Sequence, residues 1–205
     1  MLRRVSQLLV GLMLYGFACA MMVRAGIGVD PWTVFAQGMS NVTGLSLGLL
    51  TILIGAVVLL LWIPLHQRLG IGTVLNMLLV GIAIDLGLLV IGAPPELWQR
   101  ILLFLGGLVL LAVATGLYIG SRFGAGPRDG LMTGLNSRFG VPIWLARTVV
   151  EITVLLIGWA LGGNLGLGTL AFALLIGPLC GLALPLLAVP EAPPRRQRAP
   201  VEDPR

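Results

Sequence analysis

Five ionisable side chains stand where a charge is costly or where a helix begins: Asp30, Asp85, Asp129, Arg147 and Glu151. Asp85, Arg147 and Glu151 fall inside long apolar runs. At mid-depth in a bilayer a charge costs about 2.5–3.5 kcal/mol on insertion scales, so each must face protein or water. Groups of these types hold a cation or proton, grip an anion, or neutralise one another. Arg147 and Glu151 are four residues apart on one helix face and can form such a pair. Two uses stay open, a structural pair that fixes helix register and a site for a solute, ion or proton.

Asp30 and Asp129 close a glycine motif that occurs twice, as Gly26-Ile27-Gly28-Val29-Asp30 and as Gly124-Ala125-Gly126-Pro127-Arg128-Asp129. Glycines allow positive φ and close backbone approach where a chain turns sharply. Asp30 followed by Pro31 is a helix start: the carboxylate caps a free N–H, and proline loses nothing at the first helical position. Asp129 is expected to cap the stretch Gly130–Ser137 in the same way. Each stretch is too short to span a membrane, so it lies at the interface or dips in as a re-entrant half-helix. Its start then presents polar backbone to a solute, or else is a capped connector turn. No strand precedes either motif, so neither is a nucleotide-binding fingerprint.

A second signature also recurs. Gly70-Ile71-Gly72-Thr73 opens one apolar run and Gly166-Leu167-Gly168-Thr169 opens another, at a spacing of about ninety-six residues. Gly72 and Gly168 are expected to let helices approach closely. Six apolar runs are long enough to cross about 30 Å of hydrocarbon, near 5–23, 45–65, 71–91, 101–120, 143–161 and 167–189. They are continuously apolar, so they read as helices and not as barrel strands. The first is taken as a retained span despite Ala18-Cys19-Ala20, because a matching element precedes the second motif. The expected fold is an all-α membrane protein of six spans in two inverted three-helix repeats, 1–95 and 96–189, with short interfacial or re-entrant segments. Three spans per copy force the second copy to enter from the opposite side. A Pro- and Arg-rich segment, 190–205, is expected to be a disordered cytoplasmic tail.

Composition excludes a soluble domain: 58% of the 205 residues are hydrophobic and 10% charged. The net charge of +5 is carried by arginines, with no lysine, and it marks topology, not nucleic-acid binding. Arginine bias is expected to place both termini in the cytoplasm, with Arg68, Arg122, Arg128 and Arg138 on the inner side. Cys19 and Cys180 lie apart in apolar runs, and the one histidine, His66, falls in a loop, so no metal site or cofactor is expected. Five tryptophans near predicted span ends read as an interfacial belt, and Pro178 and Pro185 are expected to break or kink the last span. No nucleophile–base pairing suggests an enzyme.

Gly-Ile-Gly-Val-Asp-Pro-Trp from Gly26, Gly-Ile-Gly-Thr-Val-Leu-Asn from Gly70, and Gly-Ala-Gly-Pro-Arg-Asp-Gly-Leu-Met from Gly124 resemble the YczE/YyaS/YitT group of bacterial integral membrane proteins, most closely its YczE-like branch. The resemblance implies a protein of the cytoplasmic membrane and assigns no active site. The leading expectation is a permease-like protein that binds a small solute or ion between its two repeats. The alternative is a non-transporting module, a capture subunit or scaffold for another membrane complex, and a homo-oligomer is compatible with either.

Overall fold

The computed structural model describes residues 2–124 and 126–187, so the segment 190–205 lies outside the described residues. Among these there are eight helices and no strand: α1 (Leu2–Ala25), α2 (Pro31–Thr43), α3 (Leu47–Trp62), α4 (Ile71–Val90), α5 (Leu97–Gly120), α6 (Pro127–Phe139), α7 (Ile143–Ala160) and α8 (Leu167–Leu187). Each of the six apolar runs holds one helix among its described residues. Five are long and apolar enough to cross a membrane. The sixth, α3, reaches that standard only together with α2, from which it turns by 113°.

The short helices start and stop as their sequences dictate. Asp30 caps α2 by accepting from the Thr33 amide at 3.2 Å, Pro31 takes the first helical position, and Gly44 ends the helix with φ +73°. α6 likewise begins with Pro127 and ends at Gly140, φ +68°, but its cap is Gly126 without a side-chain bond. Asp129 therefore does not cap Gly130–Ser137. Proline's preference for the first helical position starts the helix earlier and leaves Asp129 inside its first turn. Pro178 and Pro185 do not break the last helix, since α8 runs through both.

Pairwise contacts fix the directions of the long helices. Gly11 meets Leu117 and Gly107 meets Ala18, so α5 runs antiparallel to α1. Gly16 meets Ala83 and Gly87 meets Ala20, so α4 runs parallel to α1. Gly116 meets Ala183 and Gly168 meets Phe104, so α8 runs parallel to α5. The half-helices end at opposite ends of the bundle. Asn41 near the end of α2 donates to Gly162 O in the α7–α8 turn (2.8 Å), whereas Gln67 in the α3–α4 turn donates to Ser137 Oγ near the end of α6 (3.1 Å).

The two repeated signatures interlock crosswise. The Gly168 amide donates to Ile27 O (2.8 Å), and the Gly72 amide donates to Phe123 O (3.1 Å). A Cβ on Gly168 would lie 2.8 Å from Gly28 O, and one on Gly72 would lie 2.8 Å from Phe123 O. Close approach thus requires glycine at both, and each copy's second signature docks on the other copy's first. The backbone also corrects the register. Gly26 (φ +67°) matches Arg122 (φ +58°), and Gly28 (φ +115°) matches Gly124 (φ +125°), the same 96-residue step as Pro31 to Pro127. Asp30 consequently corresponds to Gly126 and not to Asp129.

Candidate functional site

A cavity of about 280 Å³ lies where the starts of α2 and α6 face each other, walled by residues of all eight helices. The main elements supply its frame: α1 packs on α5 through Gly11 and Gly107, and Tyr15 and Tyr118 meet edge-to-face, ring centres 6.0 Å apart. The starts of α2 and α6 both reach this cavity, through Asp30, Pro31, Pro127 and Arg128.

Four of the five singled-out ionisable residues, Asp30, Asp129, Arg147 and Glu151, line it. Arg128, read from sequence only as a topology charge, joins the half-helices by donating to Asp30 Oδ1 at 3.1 Å. The Asp30 carboxylate is 6% exposed and also accepts from the Thr33 hydroxyl. The Arg128 guanidinium lies 5.0 Å from the Trp32 ring centre, a cation–π contact. Asp129 accepts from Tyr118 Oη at 3.1 Å. Arg147 Nε donates to Glu151 Oε1 at 3.0 Å, as the four-residue spacing predicts. Among the described residues this leaves two ion pairs and a third carboxylate, Asp129, with only a phenol as partner.

Trp32 and Trp62 are buried, unlike the exposed Trp98, Trp144 and Trp159, so only the last three fit an interfacial belt. Trp62 Nε1 donates to Pro127 O at 3.0 Å and pins the start of α6. Gly130 accommodates that indole, since a Cβ there would lie 1.9 Å from Trp62 Cζ2. Trp32 Nε1 is buried with no acceptor among the described residues. A buried donor left unpaired costs about 1–3 kcal/mol, so an acceptor beside it would be held.

Asp85 is not part of this constellation. It ties α4 to the start of α3, accepting from the Gly48 amide at 2.7 Å and from Ser46 Oγ at 2.6 Å, and lines a separate groove with Arg24 and Asn41. Its position in an apolar run is explained by this helix-end contact. Asp85→Ala is expected to lower stability by about 1–2 kcal/mol in detergent unfolding, with little effect on ligand response. The Arg147–Glu151 pair is more accessible, with side chains 56% and 31% exposed. Neutralising Arg147 is expected to harm stability less when Glu151 is neutralised too, with a coupling below about 1 kcal/mol in a double-mutant cycle.

The family described as "Family of unknown function (DUF6198)" matches residues 2–185. An uncharacterised protein of Haemophilus influenzae is 38% identical over 186 residues, 91% of this chain and 85% of that relative. The uncharacterised membrane protein YczE of Bacillus subtilis is 32% identical over 85% of this chain and 82% of its own, and YyaS of the same organism is 26% identical over 87% and 90%. No solved structure matches the chain. With that match across its helices, and with helices apolar enough to cross a bilayer, this chain is an integral membrane protein of the DUF6198 family.

Proposed function

We propose that this protein is a small permease of the bacterial cytoplasmic membrane, with both termini cytoplasmic, that binds its solute or ion between two inverted repeats. The observation that carries the reading is the cavity at the meeting of α2 and α6, which gathers Asp30, Arg128, Asp129, Arg147 and Glu151 and is walled by both halves. Half-helix starts that meet at such a seam are the common design of secondary transporters. The opposed directions of α1 and α5, with α4 and α8 each parallel to its own partner, support an inverted duplication.

In this reading the Asp30–Arg128 pair is the contact between half-helices that must part when the cavity turns from one membrane face to the other. The cavity supplies binding and orientation, and the account involves no catalytic chemistry or cofactor. A thermal-shift screen of the purified protein against metabolites and ions tests it. A ligand present at 100 times its dissociation constant stabilises by about 2.7 kcal/mol, and a tenfold weaker affinity in Asp129→Asn should cut that gain to about 1.4 kcal/mol. If no compound stabilises the protein while a co-purifying membrane protein does, the chain is instead a module of a larger complex.

A further inference from the structure

We infer that the cavity admits its ligand sideways from the bilayer, between α7 and α8, and that this ligand is an amphiphile carrying an amine cation at its polar end. The inference rests on the reading of the cavity as a ligand site and names the class of ligand.

The first copy shows how such a gap is closed. α3 and α4 pack tightly: a Cβ on Gly48 would lie 2.1 Å from Gly81 O, and one on Gly55 would lie 2.8 Å from Met77 Cγ. Asp85 then ties the start of α3 by its bond from the Gly48 amide. Ninety-six residues on, those three closing residues are Trp144, Glu151 and Gly181. An indole cannot take the place of a glycine against a backbone carbonyl. A glutamate cannot lie where Gly55 touches its neighbour, and Gly181 brings no carboxylate to tie α7. Accordingly α8 packs along α5 and has no comparable packing with α7 among the described residues. A Cβ on Gly177 or Gly181 would meet nothing within 4 Å.

This gap is continuous with the chamber. Ile176, Gly177 and Leu184 line the same cavity as Asp129, Arg147 and Glu151. An opening at bilayer depth with apolar walls fills with hydrocarbon chain, whereas the chamber behind it is charged. A molecule with an apolar body and a charged end satisfies both. Three carboxylates against two guanidinium groups leave one negative charge, on Asp129, which selects a cation. Trp32, whose Nε1 is buried without an acceptor among the described residues, lines the same cavity and supplies a hydrogen-bond donor.

The test uses the full chain in lipid nanodiscs and a dodecylamine with a photoreactive diazirine at the end of its chain. Irradiation is expected to label peptides of α7 and α8. Asp129→Asn should lower labelling roughly tenfold, the worth of one charge-assisted bond. Gly181→Leu, which has room to fold, should block the long amine while butylamine still stabilises the protein. Equal labelling by the matching dodecanoic acid, or labelling undiminished in both variants, would overturn the proposal. So would a disulfide-linked dimer through Gly181→Cys, which would put a second copy in the gap. If butylamine stabilises and dodecylamine does not label, the side entrance is wrong and the ligand cavity stands. If neither binds, amine recognition fails, and the permease reading is then decided by the wider ligand screen.

Discussion

Arg128→Met is expected to destabilise the protein by about 3–5 kcal/mol, because it strands a buried carboxylate. Asp30 is 6% exposed, and Arg128 is its only cationic partner among the described residues. Asp30→Asn is expected to be milder in part, since asparagine keeps the cap on α2, but it leaves Arg128 held only by the Trp32 ring. The double substitution removes both charges and should regain most of the loss, as replacing a buried pair by neutral groups is often close to neutral. Unfolding in mixed micelles, carried through the full double-mutant cycle, measures the coupling. A coupling under about 1 kcal/mol would place this pair with exposed ones and remove it as the link between half-helices.

Gly28→Ala is expected to cost about 2–6 kcal/mol, far more than Gly26→Ala at about 1 kcal/mol. Both have positive φ, +115° and +67°, but only Gly26 sits in the left-handed region that other residues enter at modest cost. The surroundings differ further. A Cβ on Gly28 would lie 2.8 Å from the Thr169 amide and 2.9 Å from the Gly166 amide, so the start of α8 would have to lift. A Cβ on Gly26 would approach only Arg100 Nη1, at 4.0 Å. Gly124→Ala should fall between them, because its near neighbour is a hydroxyl, Thr73 Oγ1 at 3.0 Å. Thermal unfolding of the three variants gives the order, and equal losses at Gly26 and Gly28 would contradict the crosswise docking of the signatures.

The helices were legible because lipid demands long apolar runs, and Pro31, Pro127, Gly44 and Gly140 punctuate the short ones. Arg147 and Glu151 were legible as charges too costly to face hydrocarbon, and Asp30 and Asp129 as the acidic ends of the repeated glycine motif. Asp85 misled for a physical reason: a carboxylate in an apolar run satisfies a helix end as well as it serves a solute. Arg128 was missed because an arginine in a motif loop reads as topology, and only the fold shows Asp30 within reach. Matching the motifs by their glycine letters set them two residues out of register. The backbone pairs Gly26 with Arg122 instead, an arginine doing in left-handed conformation what a glycine does in the first copy. The buried Trp32 and Trp62 escaped for a related reason, since being near a span end in sequence does not decide which way a half-helix turns.

On the reading proposed above, two copies of one helical block lie in the membrane with opposite orientation and meet at a ligand cavity. Thr43 and Ser137, both exposed near the ends of α2 and α6, report it most directly. In a background carrying Cys19→Ala and Cys180→Ala, single cysteines at these positions can be labelled in intact cells with a membrane-impermeant maleimide. The account predicts that Thr43→Cys is labelled from outside, while Ser137→Cys reacts only after the cells are opened. Labelling of both from the same face would contradict the inversion and, with it, the placement of the cavity between opposed halves.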